Sequence, residues 1–172
     1  MADISSIPDD VKWKLASGYA ARLPALYDAA FRDVVGKRYN EIEQVIWMEL
    51  SRTAFDLAHT LSLPVGTAED LAETLRTVMI VLFGPGFKSE SIRVAEDRAV
   101  IVIKRCPFAD EGAALGAGGT NTFRKCMALT LMTVPHLNKN YTARFVRSMC
   151  GEGDRQCEIK IGVSGDLDKK SL

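Results

Sequence analysis

The sequence predicts an α+β fold: a helical N-terminal half followed by a ββαββ unit, whose four-stranded antiparallel sheet is covered by helices. Three observations predict it. Up to residue 83 apolar residues recur every three or four positions, the period of an amphipathic helix. Gly84-Pro85-Gly86 then interrupts the pattern, and beyond it apolar and polar residues alternate, as they do along a half-buried strand. One further helical row separates two pairs of such strands, an order that suits helices laid on an antiparallel sheet.

Within residues 9–36, Val11, Leu15, Tyr19, Leu23, Leu26, Tyr27, Ala30 and Phe31 keep helical spacing, and Pro24 is expected to start a second helix after a break at Arg22. Ile42, Ile46, Leu50, Ala54, Leu57, Ala58 and Leu61 form one stripe, predicting a helix over 39–61 that is about 35 Å long. Leu63-Pro64-Val65-Gly66 stops it. Thr67 with Asp70 three residues on resembles a capping box and opens a helix to residue 83. Strands are expected at 87–96 and 99–105, with Ile92, Val94 and the run Val100 to Ile103 supplying β-branched residues. A small-residue loop over 110–120 leads into a helix at 121–134 that Pro135 ends or bends. Strands at 141–150 and 156–163 follow. The expected organisation is a helical region, 1–84, packed as one domain with a ββαββ region, 85–163, and a polar tail, 164–172.

At 172 residues the chain buries a core without covalent staples. Lys plus Arg equals Asp plus Glu, at 22 each, so the broad basic footprint of a nucleic-acid binder is missing. The acidic N-terminus lacks the pattern of a secretory signal, and no uncharged apolar run reaches the roughly 18 residues of a membrane span. The expectation is a cytoplasmic protein that engages neither nucleic acid nor membrane. In that reducing setting cysteines serve as metal ligands or reactive thiols rather than cross-links.

There are four cysteines, all in the second half. Cys150 and Cys157 flank Gly-Glu-Gly-Asp-Arg-Gln, and a turn centred on Gly153 and Asp154 would set them opposite each other across a hairpin. Cys157, Ile159, Ile161 and Val163 make the buried face of the last strand. Cys126 shares a helical row with Phe123, Met127, Thr130, Leu131 and Val134 and points at the sheet. Cys106 ends a strand. An isolated inward cysteine is more often a small hydrophobe than a ligand, but one hairpin, one helix and one loop can supply the four thiolates of a tetrahedral zinc site, with sulfur at about 2.3 Å.

Other candidates are weaker. His59 lies on the long helix, whereas His136 stands at the end of the Cys126 helix, where it could serve as a base or further ligand. The loop 112–119 lacks the Gly-Lys-Ser/Thr ending of a phosphate loop, and Gly116-Ala-Gly118-Gly119 misses the third glycine of a dinucleotide fingerprint. Glu41, Glu43, Glu69 and Asp70 are expected on helical surfaces or caps. Trp13, Tyr19, Trp47, Phe55, Phe83 and Phe123 fall in segments that cover the sheet, where a pocket for an apolar ligand would lie.

The run Cys150-x-Gly-x-Gly-Asp-x-x-Cys157-x-Ile-x-Ile resembles the C-terminal signature of the 4-vinyl reductase type domain, a small-molecule-binding module of aromatic-sensing activators and hydrocarbon-binding proteins. That resemblance implies a pocket for a small apolar or aromatic molecule, a homodimer, and a structural zinc. In the aromatic-sensing members zinc is held by an upstream cysteine, a glutamate three residues before the first hairpin cysteine, and the hairpin pair. Cys126, Cys150 and Cys157 match; Arg147 stands at the glutamate position, so the resemblance implies either that Cys106 completes the set or that the metal has been lost. More diffusely, the helical half, Cys106-Pro107 and the later cysteines look like the aminothiazoline-carboxylate hydrolase family. By that likeness Cys106, with His136, would attack or polarise a small heterocycle.

Overall fold

The computed structural model describes residues 3–167, so the last five positions of the expected tail lie outside the described residues. A 3-10 turn at Ile4–Ser6 precedes three helices, α1 (Asp9–Val35), α2 (Arg38–Thr60) and α3 (Ala68–Phe83). Then come β1 (Lys88–Ala95), β2 (Arg98–Arg105), α4 (Pro107–Ala114), α5 (Thr120–Leu137), β3 (Tyr141–Arg147) and β4 (Cys157–Val163). The strands make one sheet in the order β1-β2-β4-β3, each neighbour antiparallel. The α+β class is the one that the change of period predicts.

The core lies between α3 and the inner face of the sheet. Leu71, Leu75 and Met79 of α3 pack with Ile101 and Ile103 of β2 and with Ile159 and Ile161 of β4, each side chain contributing about 1.5–3 kcal/mol by leaving water. The capping box forms: Thr67 N–H donates to Asp70 Oδ2 at 3.0 Å, and Asp70 N–H to Thr67 Oγ1 at 3.1 Å. α3 ends at Gly84, whose φ of 84° favours glycine and where a Cβ would lie 2.1 Å from Ser17 Oγ. That contact lets α1 approach α3 closely. β1 is an edge strand, and its Ile92 and Val94 face solvent rather than the core.

Five expectations are corrected. Pro24 does not divide the first helix: α1 runs unbroken past it, since Ser17, Ala21 and Ala25 are buried in one small-residue stripe that holds both halves in place. The segment expected as a loop from 110 is helical to Ala114, because Pro107 at the first helical position is preset for a helix start after Cys106. On α5 Thr130 and Val134 of the expected face are buried, but Thr122, Lys125, Leu129 and Thr133 are buried beside them, since α2 covers the helix on the flank away from the sheet. Glu43 is buried, not a surface carboxylate.

The fifth correction concerns the last hairpin. β3 stops at Arg147, and residues 148–156 fold around Ser148 instead of continuing the ladder. Ser148 N–H donates to Asp154 Oδ2 at 2.9 Å, Gly151 N–H donates to Ser148 Oγ at 2.7 Å, and Glu152 N–H to the Ser148 carbonyl at 3.0 Å. Cys150 therefore sits in a compact loop and is not the cross-strand partner of Cys157, which pairs with Ile103 of β2. Facing β4 on the inner side of β3 are Tyr141, Ala143 and Phe145.

Candidate functional site

Two cavities flank Phe83. The larger, about 360 Å³, is an open cleft between α1 and α2, within the roughly 300–1,000 Å³ of small-molecule sites. Leu23, Pro24 and Tyr27 of α1 face Ile42, Ile46 and Leu50 of α2, while Trp47, Phe83 and Leu129 close the floor. The proline that sequence periodicity marks as a helix break is thus part of this wall. Of the aromatics singled out above, Trp47 and Phe83 line the cleft and Phe123 lines the second cavity, whereas Trp13, Tyr19 and Phe55 lie at the surface. The lining has no cysteine, histidine, lysine or arginine, so the cleft can solvate an apolar body but carries no thiol or imidazole to attack it. Its polar groups are Tyr39, Glu43 and Thr53, with the Tyr27 hydroxyl.

Behind Tyr39 and Glu43 lies a buried ion network that sequence reasoning missed. Lys125 on α5 donates to Asp28 of α1 and lies 3.0 Å from Glu43 Oε1 of α2. Arg32 reaches Asp28 Oδ1 at 2.9 Å and Glu43 Oε2 at 3.0 Å, donates to Asn40, and stacks over Tyr39 at 4.8 Å from the ring centre. The Lys125 and Asp28 side chains are 1% exposed. Two cations thus meet two carboxylates, the pairing that burial of charge demands. Burial alone would raise Asp28, but the hydrogen bond and charge of Lys125, with Arg32, hold it below the ordinary carboxylate value. Burial also raises Glu43, and there Asp28 adds to the shift against Lys125. Tyr39 is raised by burial and by the same two carboxylates. The available signal was Asp28 falling on the small-residue stripe of α1, an ionisable group where the helical period asks for a core residue.

The second cavity is small and holds all four cysteines in its lining, with Phe83, Phe123 and Phe145 among its walls. Phe83 is 5.7 Å from Phe108, which is 5.1 Å from Trp47, so aromatic packing separates this chamber from the cleft. Every thiol is shifted up. Burial takes Cys106 to about 12 against the nearby Ala109 and Phe108 N–H groups, and burial with Cys157 takes Cys150 to about 11. Cys126 is pushed far up by burial and by the other three cysteines. Cys157 is raised by burial although its sulfur accepts the Met149 N–H at 3.3 Å. Four sulfurs suit a soft or borderline ion in kind, but among the described residues no group of three or more His, Cys, Asp or Glu side chains is placed to hold a metal.

The structure does not bring His136 to Cys106. His136 is exposed, outside the thiol chamber, and its Nδ1 is 2.9 Å from Ser51 Oγ of α2. Ser51 donates its own proton to the Met48 carbonyl at 2.6 Å, so the imidazole Nδ1–H is the donor in this contact. His136 here fastens α5 to α2. His59 stacks on Phe55 at 6.4 Å. Among the described residues no helix is long and apolar enough to cross a membrane.

No family model and no curated protein matches the chain. A solved structure of trafficking protein particle complex subunit 3 from Naegleria fowleri, covalently bound to palmitic acid, is similar, with a TM-score of 0.50 and 13% identity, over 89% of this chain and 95% of that one. At that identity the likeness speaks for the fold.

Proposed function

We propose that the chain is a binding domain for a small apolar molecule, one with an alkyl or aromatic body, held in the cleft between α1 and α2. The observation that carries this reading is the cleft itself, about 360 Å³ with walls almost wholly apolar. An unfilled apolar groove of that size is the feature that binding sites share and core packing removes. The similar structure bound to palmitic acid lends support as an instance of this fold carrying an acyl chain. Ala20→Trp tests the reading: Ala20 is an exposed cleft residue, so an indole there fills the groove without disturbing the core. The native chain binds decan-1-ol saturably, and the variant loses at least about tenfold in affinity; equal affinity in a folded variant contradicts the assignment.

A second element of the reading is a structural zinc at Cys106, Cys126, Cys150 and Cys157, favoured by the fact that all four line one chamber. Bound there, zinc would fix loop 148–156 to α5 and the end of β2, and the four thiols would lose their protons to it. The proposed assembly is a homodimer. Ile42, Val45, Ile46 and Leu50 present an exposed apolar stripe on α2, flanked by the Glu49–Arg52 ion pair of the same helix, and two copies laid antiparallel would bury that stripe. Sedimentation of the native chain against Val45→Glu checks it.

A further inference from the structure

We infer that the cleft selects an uncharged amphiphile, such as an alcohol with an extended apolar body, over the carboxylate anion of the same chain length. The inference rests on the cleft being the ligand site and specifies the class of molecule that it takes.

The lining contains one ionisable group that is charged near neutral pH, and that group is an anion, Glu43. Its two oxygens are already engaged, Oε1 with Lys125 and Oε2 with Arg32. Those cations are shared in turn with Asp28, so the network closes with equal positive and negative charge; the one donor left over, Arg32 Nε–H, belongs to a side chain that does not line the cleft. A ligand carboxylate at this end would leave water only to stand beside Glu43 and Asp28. Reversing the ligand gives no better partner. Beyond Thr53 the surface carries Glu49, Arg52 and Asp56, and Arg52 is bound to Glu49 at 2.9 Å, which leaves Asp56 as the uncompensated charge. An ionised acid therefore loses hydration at either end without gaining a counter-ion. An alcohol hydroxyl needs one hydrogen bond, which it donates to a free lone pair on Glu43 or to the Tyr39 oxygen, whose own proton is held by Asp28.

The test compares decan-1-ol with decanoate by isothermal titration calorimetry on the full chain at pH 7.5, below the aggregation limit of either compound. The alcohol binds at least about tenfold more tightly. Decanoate binding as tightly as the alcohol, or more so, overturns the inference and leaves the cleft assignment standing. Failure of both compounds to bind overturns the cleft assignment and the inference with it. Glu43→Gln, which gives the network a surplus positive charge, narrows the preference severalfold in protein whose helical circular dichroism is native; a preference unchanged in that folded variant overturns the role given to Glu43.

Discussion

Lys125 Nζ lies 3.0 Å from Glu43 Oε1, an ion pair that ties α5 to α2 beneath the apolar cleft. Through Asp28 the same ammonium reaches α1, so one side chain joins three of the four helices that line the site.

Removing that charge leaves two buried carboxylates facing one arginine. Lys125→Met is expected to cost about 3–5 kcal/mol, the usual penalty for orphaning one partner of a buried pair. Urea unfolding measures it. In a double-mutant cycle with Asp28→Asn the two losses should be far from additive.

Gly84→Ala should destabilise for two separable reasons, the positive φ and the contact with Ser17. The backbone part is about 1–2 kcal/mol and the steric part about 1–3 kcal/mol. Adding Ser17→Gly should recover only the steric part, as read from the shift in melting temperature.

The thiols set an alkaline limit. Their folded pKa values are raised above the unfolded value by burial, to about 12 for Cys106 and about 11 for Cys150. The native state then holds protons that the unfolded chain releases, so their stabilising contribution is complete below about 8.5 and is lost as pH rises through these higher values. Metal-free protein should therefore lose stability steadily from about pH 9 upward, and a Cys106→Ala, Cys150→Ala variant should lose less over that range. Denaturant titrations at fixed pH values check the slope.

Zinc reverses that behaviour, because metal-bound sulfur is already deprotonated. Protein purified without chelator should carry about one zinc per chain, its thiols should resist alkylation until the metal is stripped, and Cys126→Ser should then destabilise it by far more than the roughly 1–2 kcal/mol of an ordinary core change. Metal-free protein whose stability Cys126→Ser barely alters would remove zinc from the account.

What was legible in the sequence follows from what local pattern encodes. The capping box at Thr67 and Asp70, the change of period at Gly84 and the buried face of Cys157, Ile159 and Ile161 depend on neighbours in the chain, and each is found as expected. Alternation alone does not place Cys150, because Ser148 and Asp154 offer the backbone a competing set of hydrogen bonds. Glu43 looked like a surface carboxylate because its partners, 15 residues before it on Asp28 and on the distant Lys125, come together only in the tertiary fold. The cleft belongs to the same class. Leu23, Ile46 and Leu50 read as core residues in sequence, and only the separation of α1 from α2 shows that their faces remain uncovered.

The most direct test of the central claim is to locate bound decan-1-ol by intermolecular nuclear Overhauser effects on isotope-labelled protein. Contacts from the alkyl chain to the methyl groups of Ile46, Leu50 and Leu129 are the expected result. Contacts instead to Phe123, Phe145 and Met149 in the cysteine chamber, or none to the α1–α2 cleft, would contradict it.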